Sequence, residues 1–441
     1  MASGSSTSAT QDLSPNLSSH TVRIDGGLKA WLQVLSSFCV FFNTWGIVNS
    51  FGVFQTFYQS NLLTSQSPSN ISWIGSFQTF LILFGAAFVG PLFDRGYLRT
   101  LIRLGTFLVV FGTMMVSLCT QYWQVFLAQG VTVGLGLGCL FLPSVAVIAH
   151  YFKEKKSTAL GIASAGGSLG GIIYPIVFQQ LEPRVGFAWT IRIMAFMVLA
   201  TMLLPLSALS VHIPPSSGKR PLYDKSAFKD IPYATFCISQ FFGLMAIYIT
   251  LFYIHLYALE QTSTVPKLAA YLLSIINAAS IAGRILPNFI ADKVGPLNVL
   301  IPLTAGTAVL SFGWIGIHDG AGLVVFCVLY GFFQGPFVSL PPTIVATLSP
   351  DLRSIGVRLG MMLAISGIGS LIGEPVAGAI LQRSDGWMWL QIWCAILFVV
   401  SGLFCVGTKL LVHRSSSSSA GIISLQNGGT GIVEDPKQDK T

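Results

Sequence analysis

Charge is what this chain has least of. Only 9% of its 441 residues are Asp, Glu, Lys or Arg, against roughly 25% in an ordinary soluble domain. So few charges cannot cover the surface of a water-soluble body of this length, and a soluble protein is excluded. Acidic residues are the scarcer sign, 16 against 24 basic ones, which leaves a net charge of +8. Spread over the whole chain, those bases are too sparse to form a nucleic-acid surface. The cysteines form no framework. Cys39, Cys119, Cys139, Cys237, Cys327, Cys394 and Cys405 never make a C-x-x-C pair and all sit in apolar runs, so neither disulfides nor a thiolate metal site is expected. No span carries a His/Asp/Glu cluster at metal-ligand spacing, and no nucleophile–base pair can be assembled. A Gly-rich phosphate loop ending in Lys and Ser/Thr is also missing. These absences argue against an enzyme, a nucleotide-driven pump and any cofactor. No basic stretch leads into a short apolar segment at Met1, so no cleavable signal peptide is expected.

What is abundant is hydrocarbon: 53% of residues are hydrophobic. From Ala30 onward, apolar segments follow one another, each near the ~20 residues that cross a bilayer. They lie at about 30–57, 71–93, 101–119, 123–150, 158–181, 187–210, 232–258, 267–290, 297–317, 321–347, 354–381 and 387–411. The expected fold is an all-α polytopic membrane protein with twelve transmembrane helices in two pseudo-symmetric six-helix bundles. Residues 1–29 and 412–441, with their Ser-rich runs, read as disordered tails. The largest hydropathic break is 212–231, which separates bundles at 30–211 and 232–411. Arg192 and Arg284 aside, every Lys and Arg except Arg184, Lys267 and Arg383 falls on one side. That side is the cytosol by the positive-inside rule, with both termini on it. The excess of positive charge is thus a statement of orientation and of contact with anionic lipid, without any nucleic acid.

The two halves are related. Ser164–Gly171 (SAGGSLGG) matches Ser366–Gly373 (SGIGSLIG) at five of eight positions. Near the same offset, Asp94-Arg95 answers Asp292-Lys293, Gly134 and Gly138 answer Gly331 and Gly335, and Pro175 answers Pro375. Duplicated six-helix units recur in transporters. Gly-rich spans permit close helix contact in lipid, and Pro143, Pro175, Pro341, Pro342 and Pro375 predict kinks.

Ionisable residues inside spans are costly and mark function. Arg284 in the eighth span is placed to grip a substrate carboxylate through two hydrogen bonds; the alternative is an internal pair with Asp292. Glu374, in the eleventh span, is the one carboxylate deep inside a span and a candidate proton carrier. Its alternatives are access to outer water or pairing with a nearby base. Arg192 reads as structural and His255 as a hydrogen-bonded interior residue. Of the aromatics, Trp45, Phe51, Phe54, Tyr174, Tyr248, Tyr253, Phe333 and Phe337 are candidates to line an apolar cavity. The sequon Asn70-Ile71-Ser72 falls on the outer side, where Asn70 is a candidate glycosylation site.

The loop Gly90-Pro91-Leu92-Phe93-Asp94-Arg95-Gly96-Tyr97-Leu98-Arg99 resembles the G-x-x-x-D-R-x-G-R signature of the major facilitator superfamily. The resemblance implies a conformational gating role for Asp94 and Arg95, and for their duplicates Asp292 and Lys293. Asp25-Gly26-Gly27-Leu28-Lys29-Ala30-Trp31 and Tyr151–Gly167 resemble two signatures of its monocarboxylate-transporter family. Asn49–Phe54 and Gly171–Pro175 resemble the fungal branch of that family. This chain departs from the mammalian lactate carriers in two places. Val48, Asn49 and Ser50 stand where those have a substrate-binding Lys, and Ser280 stands where an Asp precedes the arginine by one turn. The expectation is a secondary active transporter that works by alternating access. It would carry a small organic acid or a partly hydrophobic metabolite, with export of a secondary metabolite among its roles. Arg284, Asn49 and Tyr174 are the expected substrate contacts, Glu374 the proton site, the plasma membrane the location and the monomer the working unit. The rival reading is a non-transporting sensor built on a transporter fold.

Overall fold

In a computed structural model, the described residues are 26–211, 226–349, 355–383 and 386–428; the side chains of Asp94 and of 415–428 are not described. The expected tails and central loop therefore fall largely outside the described residues, as does Arg353. Among the described residues all regular structure is helical. That follows from the solvent: in hydrocarbon each backbone N–H and C=O must be satisfied within its own segment.

Among the described residues, eleven helices are long and apolar enough to cross a membrane. We label them α1 (Leu28–Leu62), α2 (Pro68–Phe93), α3 (Leu98–Val116) and α4 (Tyr122–Tyr151), then a 53-residue helix, Lys156–Ala208. After it come α7 (Ile231–Gln261), α8 (Pro266–Val294), α9 (Pro296–Gly316), α10 (Gly320–Leu348), α11 (Ile355–Leu381) and α12 (Gly386–Arg414). At 1.5 Å per residue the long helix would run about 80 Å, far beyond a hydrocarbon core of about 30 Å. Gly186 resolves the conflict. Its φ of 77° breaks the helical path, which a residue without Cβ adopts at little cost, so α5 (156–185) and α6 (187–208) are separate crossings. Twelve segments result. The chain ends of α1 and α12 share one face, called here the terminal face, and the opposite one is the far face.

The repeat seen in sequence is also a repeat of contacts. Gly166 and Gly170 of α5 sit directly on the Phe42 and Phe38 carbonyls of α1, Gly170 on the former and Gly166 on the latter. In the second half, Gly369 and Gly373 of α11 sit in the same way on the Phe241 and Met245 carbonyls of α7. A Cβ at any of the four would collide with backbone. The halves meet along two seams, α2 with α11 and α5 with α8. Near the far face α1 also touches α7, where Gly52 packs on the Leu251 carbonyl.

Arg358 is expected from sequence in the basic collar, but the structure buries it. Its side chain is 3% exposed and Nη1 donates to Asp230 Oδ2 at 2.6 Å and to the Leu348 carbonyl at 3.2 Å. The guanidinium also lies over the Tyr233 ring, so this one residue ties α7, α10 and α11 together near the terminal face. Arg358→Ala would strand Asp230. Because Asp230 is a quarter exposed, we expect about 2–3 kcal/mol of destabilisation, below the usual cost of breaking a fully buried pair. Thermal unfolding in detergent measures it.

Candidate functional site

The α5–α8 seam is built from small and amide side chains at helical spacing. On α5 the facing positions are Gly161, Ser164, Ser168 and Gly171; on α8 they are Asn277, Ser280, Arg284 and Asn288. Spacings of three and four keep each set on one helix face. Missing side chains on α5 make room for large polar ones on α8: a Cβ at Gly171 would lie 2.6 Å from the Asn277 amide.

Arg284 stands at the centre of this seam, ten residues before the α8 end at Val294, or about 15 Å from the terminal face. It is 1% exposed. Nε donates to Ser280 Oγ at 3.1 Å and Nη1 to the Ser164 carbonyl at 2.7 Å. Ser280 in turn shares a 3.1 Å hydrogen bond with Ser168 across the seam. These partners are neutral, and no carboxylate pairs with Arg284 among the described residues. The alternative pair with Asp292 is not formed. Asp292 Oδ1 and Oδ2 instead accept from the Ser157 and Thr158 backbone N–H groups, both at 2.9 Å, and Thr158 Oγ1 donates at 2.6 Å. A carboxylate from the second half thus caps the first turn of α5 in the first half, where the helix dipole favours negative charge. Removing it with Asp292→Ala should cost about 1 kcal/mol of contact between the halves. Alkylation of a Ser157→Cys thiol, buried at 1% exposure, is then expected to accelerate severalfold.

The α2–α11 seam carries the opposite charge type. Glu374 is fully buried, seven residues from the far-face end of α11. Ser76 of α2 donates to its Oε2 at 3.1 Å, while Oε1 has no partner among the described residues. Tyr253 of α7 donates to the Glu374 carbonyl at 3.3 Å, and Ser69 to the Pro375 carbonyl at 3.3 Å. No base pairs with this carboxyl among the described residues. The two seams therefore hold one unpaired ionisable group each, Arg284 and Glu374. Tyr248 of α7 lies within electrostatic reach of both.

The other expected site residues divide by location. Asn49 reaches the seam: its Nδ2 donates to Asn277 Oδ1 at 3.1 Å, where the first stretch of α1 ends before Ser50. Tyr174 does not join the group. Its hydroxyl donates to Asn43 Oδ1 at 2.7 Å, and Asn43 donates to Thr201 of α6 at 2.9 Å. It lines an apolar space inside the first half, with Ile47, Val133 and Val198. Of the eight candidate cavity aromatics, Trp45, Phe51, Tyr248 and Tyr253 lie between the halves. Phe54, Phe333 and Phe337 pack against neighbours in their own half, as Tyr174 does.

Asp94 is the helical residue directly after Phe93, and Arg95 follows it exposed. Lys293 rests over the Phe289 ring at 4.5 Å. Asn70 is exposed in the first turn of α2, on the far face; its amide donates to Gln66 Oε1 at 3.1 Å. Arg192 donates to Ser117 at 3.2 Å and lies over Trp189. His255 Nδ1 shares a 3.0 Å hydrogen bond with Thr56 of α1.

Sequence reasoning passed over Asn277, Ser76 and Asn288, whose Nδ2 donates to the Arg284 carbonyl and to Ser339 Oγ, each at 2.6 Å. The signal was present on α8, where Asn277, Ser280, Arg284 and Asn288 form a polar stripe at helical spacing in an apolar span. α10 meets it with Pro336 and Pro341, which follow Gly335 and Leu340 without leaving the helical path, and Gly335 lies against the Arg284 backbone.

Known proteins agree with this architecture. The pattern of the Major Facilitator Superfamily matches residues 34–351. The MFS-type transporter dbaD of Emericella nidulans is 45% identical over 369 residues, 84% of this chain and 83% of its own length. The aspyridones efflux protein apdF of the same organism is 40% identical over 390 residues, 88% of this chain and 79% of its own. The solved E. coli fucose:proton symporter FucP shares the fold at a TM-score of 0.64 and 17% identity, over 85% of this chain and 98% of its own. The nucleoside transporter NupG does so with the same score, at 16% identity.

Proposed function

Because the chain belongs to the major facilitator superfamily, we propose that it is a secondary active exporter of an acidic, partly hydrophobic metabolite. The observation that carries this reading is Arg284: a buried guanidinium between the halves, held by neutral oxygens and without a counter-ion among the described residues. An uncompensated buried charge costs several kcal/mol, and an anionic substrate would offset that cost. Asn49, one seam contact away on Asn277, sits beside the path such a substrate takes. Tyr174 then serves as a strut of the first half. Glu374 is the proton site, and Asp94, Arg95, Asp292 and Lys293 gate the terminal face. The relative named as an efflux protein favours export over uptake. Within the superfamily, the sequence signatures favour the monocarboxylate-porter-like branch. The chain works as a monomer in the plasma membrane with both termini in the cytosol and Asn70 on the outer surface. Transport, and no bond-making chemistry, is its activity.

Counterflow in proteoliposomes tests the reading, with the cargo first identified by comparing metabolites in a deletion strain and its parent, inside cells and in the medium. A protein that binds the acid yet never exchanges it would be a sensor instead.

A further inference from the structure

Three side chains, Trp45, Arg284 and Tyr248, hold hydrogen-bond donors that nothing among the described residues accepts. Trp45 of α1 is 2% exposed, and its Nε1 has no partner. Arg284 of α8 uses two of its five N–H donors, one from Nε and one from Nη1. The Tyr248 hydroxyl, from α7, makes no hydrogen bond among the described residues. Gly167 is what lets Trp45 pack this close to α5, beside Arg284. A Cβ there would lie 2.7 Å from Trp45 Cβ and 3.4 Å from Arg284 Nη1. The Trp45 and Tyr248 rings are parallel to within 5°, with centroids 6.3 Å apart. One ring belongs to the first half and the other to the second.

A buried donor left unmade is costly; Trp45 Nε1 is one, and together with the spare guanidinium and phenol donors of two other helices it calls for an acceptor-rich guest. The guanidinium fork and the indole N–H both favour lone pairs lying in the plane of an sp² group, and parallel ring faces favour a flat body. We infer that Trp45, Tyr248 and Arg284 together select a flat conjugated acid, a carboxylate or enolate carried on a planar ring, over an aliphatic acid of equal size. This rests on the reading that Arg284 holds the anion and adds what the rest of the molecule must look like. The guest touches both halves, so binding couples to their movement.

The test uses the full chain, purified in detergent, with benzoate and cyclohexanecarboxylate as probes in titration calorimetry. Benzoate is expected to bind about 3- to 10-fold more tightly, the worth of an aromatic pair. Trp45→Leu and Tyr248→Leu should each bring the ratio close to one. Trp45→Phe keeps a ring without the N–H; it should preserve the ratio and weaken both acids roughly tenfold. A ratio near one in the unmodified chain overturns the inference, and so does a ratio that survives both leucine substitutions. Absence of heat from either acid at millimolar concentration overturns it too. Arg284→Gln separates the two readings. If it abolishes binding while the ratio was always near one, Arg284 holds an anion but the aromatic selection is wrong. If it leaves both affinities unchanged, the anion reading itself fails.

Discussion

Arg284→Gln is expected to remove substrate binding and transport together. The glutamine keeps a polar head on a shorter side chain but loses the charge and the planar fork. Truncating one partner of a buried charged pair costs about 2–5 kcal/mol, or roughly 30-fold to several thousand-fold in affinity. Arg284→Lys should recover only part of that, because an ammonium cannot grip a carboxylate with two parallel bonds. The structural contribution of Arg284 can be read separately. Its bonds to Ser164 and Ser280 link α5 and α8, and those losses should lower the unfolding temperature by a few degrees without changing the elution volume in size exclusion. A variant that loses stability yet keeps its affinity would make the residue a pin between the halves and nothing more. Arg284 has no carboxylate among its described neighbours, whereas Arg358, with Asp230 at 2.6 Å, shows what a purely structural arginine looks like in this fold.

The sequence made Arg284 and Glu374 visible for one reason: a charge inside a hydrophobic span has no cheap explanation. The spans were legible because the bilayer sets their length, and even the 53-residue helix was divided correctly near Phe187, since Arg184 and Gly186 interrupt the apolar run. Which way a side chain points was much harder to read. In water, an apolar face marks the interior; in lipid, the outside and the packing faces are both apolar, so periodicity does not distinguish them. Tyr174 and Trp45 illustrate this. Both are aromatic residues in apolar helices, yet one turns to Asn43 inside its own half and the other to the seam. The partner that Asp292 takes was hidden for a different reason. Sequence spacing offered it Arg284 two turns away on the same helix, and the partner it takes is the α5 N-terminus, 134 and 135 residues distant in the chain. Backbone donors at a helix start carry no residue signature, so a cap supplied from the other half cannot be seen in one sequence.

Glu374→Gln should uncouple transport from protons while sparing exchange of the substrate itself. The substitution retains size and an oxygen to accept from Ser76 Oγ, now at 3.1 Å from Glu374 Oε2, but fixes the group in an uncharged state. In the unmodified protein the carboxyl group sits in the α2–α11 seam with one oxygen unpartnered, so its protonation state changes the charge buried between the halves. Each pH unit across the membrane is worth about 1.4 kcal/mol per proton, or roughly tenfold in accumulation. Proteoliposomes with a one-unit pH gradient should therefore show about tenfold accumulation with Glu374 and close to none with Gln, while counterflow at equal pH proceeds at a similar rate in both. Gradient-driven accumulation that persists in the Gln variant would remove Glu374 from coupling. Loss of counterflow as well as accumulation would assign it to the closing of the seam, since Ser69, Ser76 and Tyr253 all bond within one residue of it. Ser76→Ala distinguishes these outcomes further: it deletes the donor from α2 but leaves the titrating group, so it should shift the pH midpoint of transport without abolishing the proton dependence.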